Sequence, residues 1–409
     1  MYNVILSESQ KKIFEEASEF VKSVDKKLLI DMDADLIDYP RQAIKRLGEL
    51  NLIGIKFEKQ FGGRNLSWQE EVVLIEEVGM LGAALSCASV MPSIVGEAIS
   101  KFGNNYQKEK YLKPTLKGDL ICAEGLTEPR GGSDFFGATT TAKKDGNKWV
   151  LNGQKRFIVG AKGADYFLIY AKTNSDNDYK KNMSAFLVDK ESVNVENLYE
   201  LMGARGAGTG RIVLKDAIVS EENLVGKEGE GSKIFYQMMI PERLTTAAGA
   251  LGIAKASLEI ALKYSKHRKA FSQPIKNFEA VSFKIAQSSA LLDAARALVH
   301  TAAKAVDESM DASLQRRLVS EAKRFSTQSA WEIVNNAMQI MGGIGYTNVY
   351  PIERYLRDSR LMMIWTGTNE IMDLIVQHEL YKELDKNYIK RDIENDAKSS
   401  DKIEEKVFE

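Results

Sequence analysis

The residues from 339 to 372 combine residue types that suit ligand binding. Glycines at 342, 343 and 345 follow an apolar run with helical spacing, and glycines there let the backbone approach a ligand closely. Residues 367–370 have the order Gly-Thr-Asn-Glu and precede a second apolar run. That order is typical of a helix N-terminus, whose free amides can bind an anion. A plain linker between two helices has the same features, so the rest of the chain must decide between the two interpretations.

Length and composition indicate a soluble protein of more than one domain. The chain has 409 residues, of which 44% are hydrophobic and 28% are charged. A formal net charge of −1 argues against nucleic-acid binding, which requires a basic surface. Cys87 and Cys122, together with only 3 histidines, form neither a disulfide framework nor a metal-binding pattern. We find no signal peptide and no apolar run of membrane-spanning length, so we expect a cytoplasmic protein.

The spacing of apolar residues changes twice along the chain and predicts an α+β multidomain fold. Residues 1–120 have helical spacing and predict an N-terminal helical domain. Residues 121–231 contain short β-type runs and predict a middle domain that is a β-barrel or a β-sandwich. Residues 232–385 contain four long segments with helical spacing and predict a C-terminal four-helix bundle. The charged tail, residues 386–409, is expected to be mobile or to form an arm at the edge of an oligomer.

Short local signals support these elements. Ser7 with Gln10 and Ser67 with Glu70 have the spacing of capping boxes at helix starts. The Asn-Gly pair at residues 152–153 predicts a turn between two strands.

The order of the three domains resembles that of the acyl-CoA dehydrogenase family, and several motifs agree with this resemblance. The motifs span most of the chain, in family order. They are LTEPRGGSD at residues 126–134, NGQKRFI at 152–158, GARG at 203–206, RKAF at 268–271, and the QxxGGxGY, RxxRD and GTxE patterns within 339–370.

The resemblance implies an FAD cofactor held by backbone and side chains from several motifs. One group would contact the flavin ring and ribityl chain: Leu126, Thr127, Ser133, Phe157, Ile158 and Val159. A second group would hold the adenine and pyrophosphate, with Arg268, Phe271 and Glu279 from one subunit and Gln339, Gly342 and Gly343 from another. Thr368 and Glu370 would lie near the pyrophosphate and ribose. The resemblance thus also implies a homotetramer, and it implies an electron-transferring flavoprotein as electron acceptor.

The family reaction removes the α-proton of an acyl-CoA while a hydride passes from the β-carbon to flavin N5, which gives a 2-enoyl-CoA. It requires a carboxylate base and donors to the thioester oxygen. In most members the base directly precedes the Gly-Thr step, but Thr366 occupies that position here and only its backbone N–H can still act as a donor. The isovaleryl-CoA and long-chain branches, which this chain resembles, carry the base one step before a family arginine. That position is Glu242, beside Arg243, and we expect Pro241 to bend the helix and aim Glu242 inward.

The resemblance further implies that Ser133, Arg243, Trp365 and Gly367 contact the substrate, and it favours a branched, cyclic or longer acyl chain. The chain departs from the family pattern at four positions, where Arg130, Val159, Ser272 and Glu279 replace the usual residues. Val159 lacks the hydroxyl that normally contacts the flavin. Arg130 lies at the mouth of the LTEPRGGSD loop, and Ser272 and Glu279 lie on the predicted adenine-binding side.

Three alternatives remain open at this point. The enzyme could act on a cyclic acyl-CoA with unusual regiochemistry, because the usual base is missing. It could be a flavin-dependent oxidase or reductase on the same fold. It could also be a flavoprotein that binds FAD or CoA without catalysis.

Overall fold

The structure of the chain is a computed structural model that describes residues 6–174, 178, 181–385 and 393–398. Most of the charged tail at 386–409 lies outside the described residues, so its expected role stays a prediction.

The N-terminal region is helical. Its helices are α1 (Glu8–Ser23), α2 (Lys26–Asp33), α3 (Arg41–Glu49), α4 (Trp68–Gly79), α5 (Ala83–Phe102), α6 (Asn105–Gln107) and α7 (Lys113–Leu116). Both predicted capping boxes are present, at Ser7 for α1 and at Ser67 for α4. Amides at the start of α4 also donate to the side chain of Asp307, which links this region to the C-terminal helices.

Helix α5 corrects one expectation. It is 20 residues long and apolar enough to cross a membrane, so the expectation that no run reaches this length is wrong. However, 83% of its apolar window is buried inside the protein, as in the core helix of a soluble protein. The apolar residues of α5 are therefore explained by their packing inside the protein.

The middle region is an eight-stranded sheet with the order β6-β7-β3-β2-β4-β5-β8, and β1 pairs in parallel with β4. Its strands are β1 (Cys122–Gly125), β2 (Thr141–Asp145), β3 (Lys148–Ile158), β4 (Tyr166–Lys172), β5 (Met183–Asp189), β6 (Asn194–Leu198), β7 (Gly210–Ser220) and β8 (Leu224–Val225). Alternate residues of β4 enter different cores. Tyr166, Leu168 and Tyr170 pack with the helices, whereas Phe167, Ile169 and Ala171 pack within a second core of the sheet.

The predicted turn at Asn152 and Gly153 is wrong, because β3 continues through both residues. A register shift in the pairing of β3 with β7 marks a bulge here. A Cβ on Gly153 would lie 2.3 Å from Thr140 Oγ1, so this close approach requires glycine. The Asn152 amide exchanges hydrogen bonds with Asp216, 3.0 Å to its carboxylate and 2.9 Å from its backbone nitrogen. The Asn-Gly pair therefore forms a bulge rather than a chain reversal.

The C-terminal region is again helical. It consists of α8 (Gly231–His267), the hairpin β9 (Lys269–Ala270) and β10 (Gln273–Pro274), α9 (Glu279–Asp307), α10 (Ala312–Met341), α11 (Ile352–Met362) and α12 (Asn369–Asp385). The predicted order of helical, β and helical regions is confirmed, and α12 is an addition to the four predicted helices. Helix α8 continues through Pro241 for 37 residues. The bend expected at Pro241 and the exact domain limits stay predictions.

Candidate active site

A cavity of about 580 Å³ lies where α5, α8, the sheet and the segment after α11 meet. Most residues predicted to bind the flavin ring or the substrate line it. These are Leu126, Thr127, Ser133, Phe157, Ile158, Val159, Glu242, Arg243, Trp365, Thr366, Gly367 and Thr368. The structure therefore brings motifs from all three regions of the chain to one place.

Apart from Thr368, the residues predicted on the adenine, pyrophosphate and ribose side do not line this cavity. They lie on exposed parts of the described chain and comprise Arg268, Phe271, Glu279, Gln339, Gly342, Gly343 and Glu370. The Phe271 side chain is 90% exposed. Their predicted role is to bind FAD together with residues of a neighbouring subunit, and this role stays a prediction.

Glu242 places a carboxyl group in the cavity wall. It lies in α8, and its remaining accessible surface faces the cavity rather than bulk solvent. Burial raises the pKa of Glu242 well above its usual range, the carboxylate of Glu124 raises it further, and the Arg243 guanidinium opposes the shift. The position therefore favours a carboxyl group that can hold a proton near neutral pH.

Thr366 lies beside the same face of α8. Its hydroxyl is 3.3 Å from the hydroxyl of Thr246, which is one helical turn after Glu242. Thr366 has a left-handed backbone, with φ of 53°, and Gly367 follows with φ of 91°. The segment is held from α10 by Lys323, whose Nζ donates to the Gly367 carbonyl at 2.7 Å. Such a strained, fixed segment is suited to presenting backbone donors to a ligand.

The loop that carries Leu126, Thr127 and Ser133 is fixed by a buried ion pair. Lys155 Nζ is 2.7 Å from Glu128 Oε1, and both side chains are buried. The Arg156 backbone nitrogen also donates to the Thr127 carbonyl at 2.8 Å. The two motifs predicted to contact the flavin are therefore joined directly to each other.

Sequence reasoning missed Glu124. It lies in β1, is 8% exposed and lines the cavity together with Glu242. Among the described residues that line the cavity, these two are the acidic ones. The available signal was an acidic residue within an otherwise apolar and small strand, Cys-Ala-Glu-Gly.

Comparison with known families accounts for almost the whole chain. Sequence models for the N-terminal, middle and C-terminal domains of acyl-CoA dehydrogenases match residues 7–119, 123–217 and 229–381. The chain belongs to the acyl-CoA dehydrogenase family. It is therefore an oxidoreductase that acts on the CH–CH group of acyl-CoA substrates with FAD as cofactor.

Individual relatives of this acyl-CoA dehydrogenase include reductases. It is 36% identical to a 3-(aryl)acrylate reductase of Clostridium sporogenes, over 86% of this chain and 94% of that protein. It is 33% identical to the subunit CarC of the caffeyl-CoA reductase–Etf complex of Acetobacterium woodii, over 92% and 99% of the two chains. The butyryl-CoA dehydrogenase structure from Megasphaera elsdenii superposes with a TM-score of 0.86, at 31% identity and with coverage of 92% and 99%.

The residues of this acyl-CoA dehydrogenase fit a flavin. A Cβ added to Gly132 would meet nothing within 4 Å, so the backbone beside Ser133 faces open space at the cavity. The same holds for Gly342 and Gly343 on the protein surface. The Trp365 Nε1 atom is buried without a hydrogen-bond partner among the described residues. Open space beside backbone amides, together with a free buried donor, suits a large polar cofactor.

Proposed function

We propose that this enzyme is an FAD-dependent acyl-CoA dehydrogenase in which Glu242 exchanges a proton with the α-carbon of the substrate. When bound, FAD accepts or supplies the hydride at the β-carbon. Leu126, Thr127 and Val159 hold its ring, and the backbone N–H of Thr366 donates to the thioester oxygen as charge develops there.

The observation that carries this proposal is the position of the Glu242 carboxyl in the cavity. Thr366 cannot act as that base, because its neutral hydroxyl is far too weak a base to take the α-proton. Glu242 projects from the helix face that contacts Thr366 through Thr246. The relocated carboxylate and the usual base position therefore reach the same part of the cavity.

The substrate that we propose is a branched, cyclic or longer acyl-CoA. The cavity wall away from the flavin motifs is apolar, with Val90, Met91 and Ile94 from α5 facing Phe235 and Met239 from α8. Such a wall suits a hydrocarbon chain or ring and offers it no charge to pair with. Arg243 and Trp365 lie next to the proposed reaction centre.

We further propose a homotetramer in the cytoplasm that exchanges electrons with an electron-transferring flavoprotein. The relative in the caffeyl-CoA reductase–Etf complex supports this acceptor. Large apolar side chains are exposed on the C-terminal helical region, and subunit contacts would cover them. They include Phe271, Tyr346, Val349, Leu374 and Tyr381.

The test is anaerobic reduction of bound FAD by a panel of acyl-CoAs, in which loss of the flavin's visible absorbance is measured. The panel contains butyryl-, octanoyl-, isovaleryl-, cyclohexanecarboxyl- and 3-phenylpropionyl-CoA. We expect at least one to bleach the wild type and none to bleach Glu242→Gln at a comparable rate. Glu259→Gln is the matched control, because it makes the same change on α8 about five turns away and outside the cavity. Unchanged bleaching of Glu242→Gln with full FAD content would refute Glu242 as the base.

A second direction of the same reaction is favoured by one observation. Burial and the Glu124 carboxylate raise the pKa of Glu242, which favours the protonated carboxyl, the form that donates a proton to the α-carbon of an enoyl-CoA. Two relatives are reductases of such conjugated acids or thioesters by name. Reoxidation of the dithionite-reduced enzyme by cinnamoyl-CoA or crotonyl-CoA tests this direction. If only saturated acyl-CoAs react with the flavin, the reductive role is wrong.

A further inference from the structure

Glu124 brings a second carboxyl group to the proposed base from the opposite wall of the cavity. Its strand, β1, pairs with β4 so that Glu124 lies opposite Leu168. Its side chain lines the same cavity as that of Glu242, and each carboxyl group shifts the pKa of the other. Two carboxyl groups, from the sheet and from the helical bundle, thus meet where the substrate is expected.

Within the described residues, neither carboxyl group forms an ion pair, although Lys155 acts on Glu124 and Arg243 acts on Glu242. Lys155 is the nearest ammonium to Glu124, but it is bound to Glu128 at 2.7 Å. The Arg243 guanidinium next to Glu242 donates to Ser320 Oγ at 3.2 Å. Burial in a weakly polar cavity makes two adjacent negative charges unfavourable, so the pair favours a state with one proton.

The surroundings of Glu124 leave room for a proton to move. Glu124 Oε1 is buried and has no hydrogen-bond partner within the described part of the chain. The Tyr170 hydroxyl lies close to it but is likewise without a partner of full hydrogen-bond geometry there. An unpartnered carboxyl oxygen at a cavity wall is uncommon and indicates a group that gains a proton or a ligand during function.

We propose that Glu124 and Glu242 share a single proton and that Glu124 holds it whenever Glu242 exchanges a proton with the α-carbon. This inference rests on the proposed function, in which Glu242 is the base. Glu124 acts through Glu242 and is therefore a positioning residue.

The step balances in atoms and charge. In dehydrogenation the α C–H bond breaks and its electron pair forms the new C=C bond, while the β-hydrogen leaves as hydride to the flavin. The α-proton forms an O–H bond on Glu242, and the shared proton stays on Glu124. The pair changes from a monoanion with one proton to a neutral pair with two, and one proton then leaves to solvent. In the reductive direction each transfer runs backward.

Other titratable groups around the pair come from several elements and set its charge. They are Cys87 on α5, Lys155 on β3, Tyr170 on β4, Arg243 on α8, and Arg316 and Lys323 on α10. Burial raises the pKa of Cys87 to about 12, so its thiol stays neutral beside Glu242. The pKa of Glu124 is raised chiefly by burial, while Glu242, Tyr170 and Lys155 lower it. The Glu124 charge opposes the second ionisation of the pair, whereas the shared proton stabilises the Glu242 carboxylate that forms in the first, so replacement of Glu124 should raise the pKa at which that carboxylate forms.

The experiment combines an infrared titration with a pH profile on FAD-loaded enzyme. Difference spectra of protonated carboxyl groups are recorded across pH for the wild type, Glu124→Gln, Glu242→Gln and the control Glu71→Gln. Glu71 is a buried glutamate with a raised pKa that does not line the cavity. We expect two linked steps in the wild type and in the control, and a single step in each of the two other variants. One unlinked step in the wild type would overturn the pair, whatever the activity of Glu242→Gln.

The pH profile uses the acyl-CoA that reduces the flavin fastest in the panel above. The rate of Glu124→Gln should keep its dependence on a single ionised group, with the acidic limb about one pH unit or more higher than in the wild type, because the Glu242 carboxylate then forms without the shared proton. Glu124→Leu is the second variant and should shift the limb in the same direction. Superimposable profiles would overturn the proposal, as would loss of reduction in Glu124→Gln equal to that in Glu242→Gln. Full activity of Glu242→Gln would instead refute the proposed function and leave the infrared result to decide the pair.

Discussion

Lys155 and Glu128 form an ion pair of 2.7 Å whose side chains are 0% and 1% exposed. Glu128 also accepts hydrogen bonds from the Thr139 hydroxyl at 2.9 Å and the Thr140 backbone nitrogen at 3.1 Å. This pair joins the loop after β1 to the middle of β3. It thereby sets the distance between the two segments that are predicted to hold the flavin ring.

Replacement of Lys155 by methionine should destabilise the enzyme strongly. The change leaves the Glu128 charge buried and without its partner, which typically costs about 3–5 kcal/mol. Urea unfolding of the FAD-loaded enzyme and its FAD content measure the effect. Lys144→Met is the matched control, because Lys144 pairs with Glu221 at 2.6 Å on the exposed surface, and loss of that pair should change the unfolding free energy little. Equal losses in the two variants would contradict a structural role for the buried pair.

The same carboxylate should make the enzyme sensitive to acid. Burial alone would raise the pKa of Glu128, but the Lys155 ammonium and the hydrogen bonds from Thr140 and Thr139 lower it to about 2. A depressed pKa in the folded state stabilises the protein above the ordinary value of 4.5 and loses this effect as the pH falls toward about 2. Within this window the unfolding free energy of the wild type should fall more steeply than that of Glu128→Gln, by about 1.4 kcal/mol per pH unit. Glu97 also has a pKa of about 2, so parallel slopes would assign the acid sensitivity to Glu97 and other groups.

Much of this fold follows from local sequence signals. Capping boxes at Ser7 and Ser67 predict helix starts, because the required hydrogen bonds are local. The apolar run of β4 predicts a strand but not which core each of its faces enters, since this depends on the helices that cover it. The bulge at Gly153 was likewise hidden, because it depends on the close approach of Thr140, which lies just before β2.

The residues of the site likewise divide into those that the sequence predicts and those whose role depends on contacts between distant segments. The resemblance of the motifs to those of the acyl-CoA dehydrogenase family predicts that Thr127, Val159 and Glu242 share one site, and all three line the cavity. Glu124 could not be assigned, because its meaning depends on a contact with Glu242 across the cavity. The roles of exposed residues such as Phe271 cannot be assigned from one subunit, because the predicted subunit interface would complete their surroundings.

The usual base position should accept a carboxylate in place of Glu242. The Thr366 hydroxyl reaches Thr246 at 3.3 Å, and Thr246 lies one turn after Glu242 on the same helix face. A glutamate at 366 would therefore extend into the same part of the cavity. We expect Glu242→Gln/Thr366→Glu to reduce the flavin at least about tenfold faster than Glu242→Gln alone, which corresponds to about 1.4 kcal/mol of barrier. Glu242→Gln/Thr366→Gln has the same size without the charge, and an equal rate for this control would show that the carboxylate is not the cause.

Lys323 should control the activity through the segment that carries Thr366. Its Nζ donates to the Gly367 carbonyl at 2.7 Å and to Asn369 Oδ1 at 3.0 Å, where α12 begins. Burial and the nearby Arg243 charge lower the pKa of Lys323 to about 7, while the Glu370 carboxylate opposes the shift. In Lys323→Met the Gly367 carbonyl loses this donor, a change that typically costs about 1–3 kcal/mol, and the Thr366 amide should move away from the thioester oxygen. We expect kcat/KM to fall about tenfold or more with little change in FAD content. Arg324→Met is the control, because it breaks an exposed contact of 3.0 Å between α10 and Asp373 on α12 without touching this carbonyl. An activity of Lys323→Met equal to that of Arg324→Met would show that the segment keeps its position without Lys323.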